Sequence, residues 1–227
     1  MNKMFLFFLV SVISFVACSE ERYSCNPEVD KWVKTNLDEI QLMTRASWLT
    51  LPDDKRVAAF IAFTPLQRQK FWENRLEEVL TSDLGWTEEE RVHIEKLYNK
   101  ISLNLAWFED KRSEDIKLDF DRYVFEWVDF AEEELHWSRE QVAILLATAD
   151  KLATKFSIAP NSSTNNKTVA TRSEGGGKVD CNCNSEDNWC TTPIPKCVKN
   201  FNDCDPSDLG CGLMFSDPCD GRCTMDL

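Results

Sequence analysis

The end of this 227-residue chain is dominated by cysteine, since eight of its ten cysteines lie between Cys181 and the last residue. The residues between them are largely Pro, Gly, Asn, Asp and Ser, and the prolines forbid a continuous helix. Such a segment has too few apolar side chains for its own core and needs cross-links. An even number of cysteines in a short exported segment is typical of a disulfide framework, whose pairing the spacing leaves open. The predicted disulfide cysteines are Cys181, Cys183, Cys190, Cys197, Cys204, Cys211, Cys219 and Cys223.

Metal binding is the competing interpretation of this cysteine cluster. Only Cys219 and Cys223 have a spacing typical of zinc ligands, and the cysteine-rich tail contains no histidine. The carboxylates of Asp203, Asp205 and Asp208 lie close together, but their spacing is not that of a calcium-binding EF-hand loop. We therefore expect disulfides, with no metal and no cofactor.

The tail also resembles a known family. The Cys181-Asn-Cys183 opening, the Gly210-Cys-Gly212 step and the closing Cys219-Asp-Gly-Arg-Cys223 are similar to fulvocin C, a small cysteine-rich bacteriocin. Exported bacterial proteins with such a tail, the fulvocin C-related proteins, share a layout of export signal, helical region and tail. The resemblance covers about a fifth of the chain and implies a bacterial protein of the cell envelope, without supplying a biochemical role.

The N-terminus has the pattern of a lipoprotein signal peptide over residues 1–17. A short basic start precedes 14 mostly apolar residues from Met4 to Ala17, which are too few to span a bilayer. Ala17 followed by Cys18 resembles a bacterial lipobox, which predicts lipidation of Cys18; ordinary signal-peptidase cleavage near Ala17 is the alternative. Residues 18–26 would form a tether, in which Cys25 is left over as a buried small side chain, an unpaired thiol or half of an intermolecular disulfide.

Residues 27–158 carry a helical pattern and predict an all-α domain. Pro27 suits a first helical position, and Thr87-x-x-Glu90 and Ser138-x-x-Gln141 are capping boxes. A Leu and a Trp precede both boxes, which indicates either a duplicated helix-turn-helix unit or two helix starts that obey the same local physics. The pattern predicts helix as far as about Phe156, with the tryptophans in the core.

A polar, glycine-rich linker over residues 159–180 separates the predicted helical domain from the tail, residues 181–227. Every long apolar stripe of the mature chain lies before this linker. The predicted fold is therefore an all-α helical domain followed by a small disulfide-rich, loop-dominated C-terminal module. We expect the helical domain to fold without the tail.

Composition and motifs disfavour several functions. The net charge of −13 disfavours nucleic acid as a partner. The only histidines, His93 and His136, belong to no catalytic or metal-binding motif, so we expect no catalytic residues and no enzyme activity.

The remaining hypotheses concern binding. The first is an exported, lipid-anchored protein that displays a bacteriocin-like module to a protein or envelope target. The alternative is a structural or accessory envelope lipoprotein without toxic activity. The tail holds three basic and eight acidic side chains, so an anionic bilayer would repel it and a protein receptor fits better.

Overall fold

A computed structural model of the chain describes residues 21–159, 180–181, 195–199, 207–219 and 221–225, with side chains in the first and fourth of these ranges. These residues are mostly helical, as the sequence predicts. The helices are α1 (Pro27–Thr35), α2 (Leu37–Ile40), α3 (Arg45–Trp48), α4 (Asp53–Ile61), α5 (Pro65–Thr81), α6 (Glu88–Leu103), α7 (Glu114–Glu133) and α8 (Arg139–Leu146), with 3-10 turns at Leu105–Phe108 and Leu213–Phe215.

The helix starts follow from local capping. Thr87 and Ser138 each accept a hydrogen bond from the backbone of the third helical residue, and the Glu90 and Gln141 side chains bond back to the cap. Both predicted capping boxes are thereby confirmed. A third box, formed by Thr64 and Gln67, begins α5.

Helix α5 runs through the middle of the core. Its Trp72 and Leu76 are almost completely buried, and Leu97 of the neighbouring α6 is fully buried against the same cluster. The tether also contributes, because Tyr23 is buried in this cluster and its backbone N–H donates to Asp30 Oδ1 at 2.8 Å. Six of the predicted core tryptophans are buried: Trp48, Trp72, Trp86, Trp107, Trp127 and Trp137.

The two similar Leu-x-Trp stretches meet in space. The rings of Trp86 and Trp137 lie 6.0 Å apart, and the Phe156 ring contacts both, at 5.3 and 5.4 Å. Trp137 Nε1 donates to Glu90 Oε1 at 2.9 Å, while Trp86 Nε1 donates to the Val79 carbonyl at 3.0 Å. Each tryptophan therefore joins the start of its own helix to another element. Duplication of the unit stays a prediction.

The helical pattern ends earlier than the sequence predicts. Helix α8 stops at Leu146, and the expected continuation to Phe156 is wrong, because β1 (Leu152–Thr154) and β2 (Ser157–Ile158) form a small antiparallel hairpin there. The physical reason lies at the turn after α8. Arg45 donates two hydrogen bonds to the Ala149 carbonyl, and Arg56 pairs with Asp150, so the backbone is held away from the helical path.

The tail contains a sheet rather than loops alone. Strands β3 (Asp180–Cys181), β4 (Pro195–Lys199) and β5 (Gly221–Met225) form an antiparallel sheet in the order β3-β5-β4. The sequence analysis did not predict these strands, because they are short and the chain between them contains prolines. The loop-dominated character of the whole tail stays a prediction. The boundaries at 17, 26 and 159–180 stay predictions, since most of those residues lie outside the described ranges. No helix in the described part of the chain is long and apolar enough to cross a bilayer.

The tryptophan contacts generate a prediction about two matched substitutions. Trp137→Phe removes a hydrogen bond to the buried Glu90 carboxylate, whereas Trp86→Phe removes one to a neutral carbonyl. Bonds to charged groups contribute about 1.5–3 kcal/mol and neutral ones about 0.5–1.5 kcal/mol. Urea unfolding should therefore show the larger loss of stability for Trp137→Phe. Equal losses, or a larger loss for Trp86→Phe, would contradict the role given to Glu90.

Candidate functional site

One segment of the cysteine-rich tail forms a closed loop, residues 207–219, which we call the docked loop. A disulfide joins Cys211 to Cys219. Cys211 and Asp217 exchange two backbone hydrogen bonds of 2.9 Å, and Gly210 N–H donates to the Phe215 carbonyl at 2.8 Å. Covalent and hydrogen-bonded closure together define the backbone of the loop.

The docked loop inserts an aromatic side chain into the helical core. The Phe215 ring lies 5.0 Å from that of Phe60, 5.3 Å from Trp72 and 6.3 Å from Trp48, measured between centroids. The contacts with Phe60 and Trp72 are edge-to-face, which is a favoured arrangement of aromatic pairs. Leu209, Leu213 and Met214 are also buried. The loop is therefore part of the main hydrophobic core.

Two glycines make this close approach feasible. A Cβ atom on Gly210 would lie 3.0 Å from Val57 Cγ1 and 3.1 Å from Ile61 Cδ1, so the backbone rests directly on α4. A Cβ atom on Gly212 would lie 1.9 Å from Asp217 Oδ2, and this residue has a φ of +72°. The Gly-Cys-Gly step thus has a structural meaning, since any side chain at Gly212 would meet the Asp217 carboxylate.

Arg112 fastens the other side of the docked loop. Its Nη2 donates to the Ser216 carbonyl, and its guanidinium lies over the Phe120 ring at 5.4 Å. Burial raises the pKa of the Asp217 carboxyl to about 6, with a further contribution from Asp121, while Arg112 opposes the rise. Below this pH the buried Asp217 carboxyl is mostly protonated and neutral, whereas in the unfolded chain it loses its proton at about pH 4. The free energy of unfolding that comes from protonated Asp217 is therefore largest below about pH 4 and decreases as the pH rises towards 6.

The docked loop changes the relation between the tail and the helical part. Three apolar side chains of the loop, Leu213, Met214 and Phe215, belong to the main hydrophobic core, although every long apolar stripe of the sequence lies before the linker. Folding of the helical domain without the tail stays a prediction. The strand β5 begins two residues after Cys219, so the tail sheet continues directly from a segment that is buried in the helices. The docked loop therefore attaches the tail to the helical part of the chain.

The structure describes only some of the predicted disulfide cysteines. It pairs Cys211 with Cys219, and it places Cys197 and Cys223 directly opposite each other on β4 and β5. Cys181 lies on β3, next to Gly221 of β5. Their pairing stays a prediction, as do the predicted roles of the remaining cysteines, which lie outside the described residues: Cys18, Cys183, Cys190 and Cys204.

Cys25 is disulfide-bonded, which corrects the expectation that it is an unpaired or merely buried side chain. Cys211 and Cys219 are bonded to each other and are not its partner. Which cysteine pairs with Cys25 stays a prediction. A bond to Cys18 would use the thiol that lipidation needs, a bond to a tail cysteine would leave the predicted set of eight unable to pair entirely within itself, and an intermolecular bond would affect neither prediction.

The histidine that sequence analysis set aside is a core residue. The His93 ring stacks on Trp127 at 4.3 Å and on Phe130 at 4.8 Å. Its Nε2 donates to the Trp127 carbonyl at 3.0 Å, and Trp127 Nε1 donates to the His93 carbonyl at 3.0 Å. Burial lowers the pKa of His93 to about 4, so the ring is neutral near pH 7 and serves as a packing group.

A shallow groove of about 270 Å³ lies beside His93, between α6 and α7, and carries no recognisable chemistry. Val92 and Phe130 form its apolar part, with Glu89 and Lys96 at its rim. No group of acidic, histidine or cysteine side chains in the described ranges is arranged to hold a metal ion. The side chains that line the groove do not combine a nucleophile with a base. We therefore take the docked loop, and not this groove, as the candidate functional site.

Sequence reasoning missed Phe215 and Arg112, and it noted Gly212 only as part of the resemblance to fulvocin C. A signal for Phe215 was present, since Leu213-Met-Phe215 is a run of three apolar residues in an otherwise polar tail. Such a run is too short to show a helical or strand period. Arg112 offered no signal, because a lone arginine in a polar stretch is ordinarily solvated.

Comparison with known proteins adds nothing to this description: no protein-family model, no curated protein and no solved structure matches the chain. The similarity of the tail to fulvocin C therefore stays a prediction.

The aromatic insertion predicts the effect of Phe215→Ala. The substitution leaves a cavity among Phe60, Phe71 and Trp72, and burial losses of this kind cost about 3–5 kcal/mol of unfolding free energy. Phe125→Ala is the matched control, because that ring is 69% exposed and its removal should change stability by no more than about 0.5 kcal/mol. Urea unfolding measures both. Similar small losses for the two variants would show that the loop is not part of the core.

The bond to Cys25 generates a prediction that depends on lipidation. If Cys18 carries lipid, its thiol is used, and we expect Cys25 to be joined to a tail cysteine. Non-reducing proteolysis of the membrane-extracted protein should then yield a peptide containing Cys25 linked to one from residues 181–227, identified by mass spectrometry before and after reduction. A Cys18–Cys25 linkage in that sample would refute lipidation at Cys18.

Proposed function

We propose that this protein is an exported, lipid-anchored binding protein of the bacterial cell envelope. Its helical part presents the disulfide-rich tail, a bacteriocin-like module, to a protein or envelope target. No catalysis is involved in this proposal. The lipid on Cys18 would keep the protein at the membrane, and the tail sheet would provide the binding surface.

The observation that carries the proposal is the burial of Phe215 in the helical core. A tail that acted as a freely diffusing toxin would have to withdraw this ring and its buried neighbours Leu213 and Met214. Withdrawal would expose apolar surface on both parts, which is unfavourable by about 25 cal/mol for each Å². The arrangement therefore favours display of the tail over its release.

The charge of the tail supports a particular class of target. Eight acidic and three basic side chains lie in residues 181–227. Of the acidic ones, Asp217 is directed towards Gly212 within the docked loop, whereas Asp208 is exposed. A surface of this sign attracts cationic partners and is repelled by anionic lipid, so we expect a basic protein surface as the target.

The first experiment tests anchoring. Cells expressing the wild-type chain and Cys18→Ser are fractionated into membrane and soluble parts. Lipidation predicts that the wild-type protein is found with the membranes and that the variant is released from them, because no described helix could replace the anchor. Equal partitioning of the two forms would contradict lipidation at this residue.

The second experiment tests binding by the tail. Oxidised mature chain beginning at residue 19 is titrated onto washed envelopes of related bacteria, and the bound fraction is measured. Asp208→Lys reverses an exposed tail charge, and Glu114→Lys reverses a charge on α7 whose side chain is 91% exposed. We expect saturable binding that Asp208→Lys weakens several-fold and that Glu114→Lys leaves unchanged.

Growth of the same cells separates the two hypotheses about the role of the tail. Inhibition by the wild-type chain together with saturable binding supports an effector. Saturable binding without inhibition supports the accessory envelope role. Absence of saturable binding, or equal weakening by both charge reversals, would contradict a target that is recognised through the tail.

A further inference from the structure

Arg75 of α5 is a buried cation with few partners. Its side chain is completely shielded from solvent, and its only hydrogen bond in the described part of the chain runs from Nη2 to the Ile144 carbonyl at 3.2 Å. Its Nε and Nη1 are buried and have no acceptor. Burial lowers the pKa of Arg75 to about 10, so the guanidinium is still charged near neutral pH.

Arg75 forms no ion pair of its own among the described residues. Arg45 pairs with Glu78 at 2.6 Å, and Arg56 pairs with Asp150 at 3.0 Å. Asp53 also contacts Arg56, but its side chain is 53% exposed and is screened by water. Glu78 and Asp150 also act electrostatically on Arg75, but their ion pairs are made with the other two arginines, so no carboxylate of the described residues is in direct contact with Arg75.

The end of α8 compensates for only part of this charge. The Ile144 carbonyl in the last turn of α8 accepts a hydrogen bond from Arg75, and the Ala149 carbonyl, three residues beyond the helix, accepts from Arg45. Cations are favoured near a helix C-terminus. The helix dipole is equivalent to about half an elementary charge at most, and it is shared between these arginines. Nε and Nη1 of Arg75, in addition, are left without the acceptors that buried donors normally have.

A second donor without an acceptor lies one turn earlier on the same helix. Trp72 is completely buried, and its Nε1 has no hydrogen-bond partner in the described residues. Residues three apart on a helix lie on the same face, so Trp72 and Arg75 are neighbours. Unpaired N–H groups of two adjacent buried side chains indicate an occupant that accepts hydrogen bonds.

We propose that Arg75 holds a small monovalent anion of halide size inside the helical domain, bound through Nε and Nη1. An anion supplies hydrogen-bond acceptors for Nε and Nη1, and it places a negative charge in direct contact with the guanidinium, as Glu78 and Asp150 do for Arg45 and Arg56. A buried water would supply acceptors only, and the buried guanidinium would remain without a negative group in contact with it. The ion would stabilise the packing of α5 against α8, next to the pocket that receives Phe215.

Thermal unfolding of the mature chain tests this site. Melts are recorded at constant ionic strength while sodium gluconate is replaced by sodium chloride, with sodium bromide as a second halide. Because the ion binds only the folded state, the melting temperature should rise by about 3–5 °C for each tenfold excess of chloride over its dissociation constant. Equal melting temperatures in gluconate and chloride would overturn the proposal.

Two variants locate the effect. Arg75→Met keeps a long apolar side chain and should abolish the chloride dependence. Arg122→Met is the matched control, because the Arg122 side chain is 70% exposed, and it should keep the dependence of the wild-type chain. Chloride dependence that persists in a folded Arg75→Met variant would refute the assignment to this residue.

Crystals of the wild-type protein provide a readout that does not depend on a folded variant. After growth or soaking in bromide, an anomalous peak within hydrogen-bond distance of Arg75 Nε and Nη1 is expected. Density at that position without an anomalous signal would identify water and overturn the proposal, as would the absence of density there.

Discussion

The insertion of the Phe215 ring between Phe60 and Trp72 is the contact on which the arrangement of this chain depends. It joins residues that are more than 140 positions apart, and the rings of Trp48 and Phe71 complete the pocket. Without it, the helical part would expose an aromatic depression, and the apolar side chains of the docked loop would lose their place in the core. The core is complete only when the end of the chain has been synthesised and folded, which makes this a non-local fold.

Arginine hydrogen bonds around the pocket also stabilise the docked loop and the helices that contact it. Arg112 holds the loop at Ser216, and Arg68 ties the end of α4 to the turn before α7 through the carbonyls of Ile61 and Phe108. Such arginines use their geometry to satisfy several backbone carbonyls at once. They stabilise the positions of the helices that surround Phe215. The proposed display function rests on this rigidity, because a tail sheet that follows a fixed loop has a fixed direction.

The helical part could largely be predicted from the sequence, because capping boxes and apolar periods are local signals. Thr87 with Glu90 and Ser138 with Gln141 form the expected caps, and six of the seven predicted core tryptophans are buried, whereas Trp32 is partly buried. Local signals fail where tertiary contacts decide. Arg45 and Arg56 end the last helix at a position that its apolar pattern continues past.

The site was harder to predict for the same reason. Cys211 was expected in a disulfide and lies in one. The burial of the Leu213-Met-Phe215 run could not be predicted, because it depends on a pocket that α3, α4 and α5 build together. A buried, unpaired Arg75 has no sequence signature at all, since arginines are usually exposed. The tail strands were missed because they are short and are separated by prolines, and their pairing is non-local.

Native-state hydrogen exchange of the oxidised mature chain tests the central claim most directly. The amides of Gly210, Cys211 and Asp217 donate to backbone carbonyls within the docked loop. If the loop is part of the core, these amides should exchange only through global unfolding, with the same protection as those of Trp72 and Leu76 in α5. Exchange of the loop amides at much lower free energies than those of α5 would show that the tail opens by itself and would contradict this account.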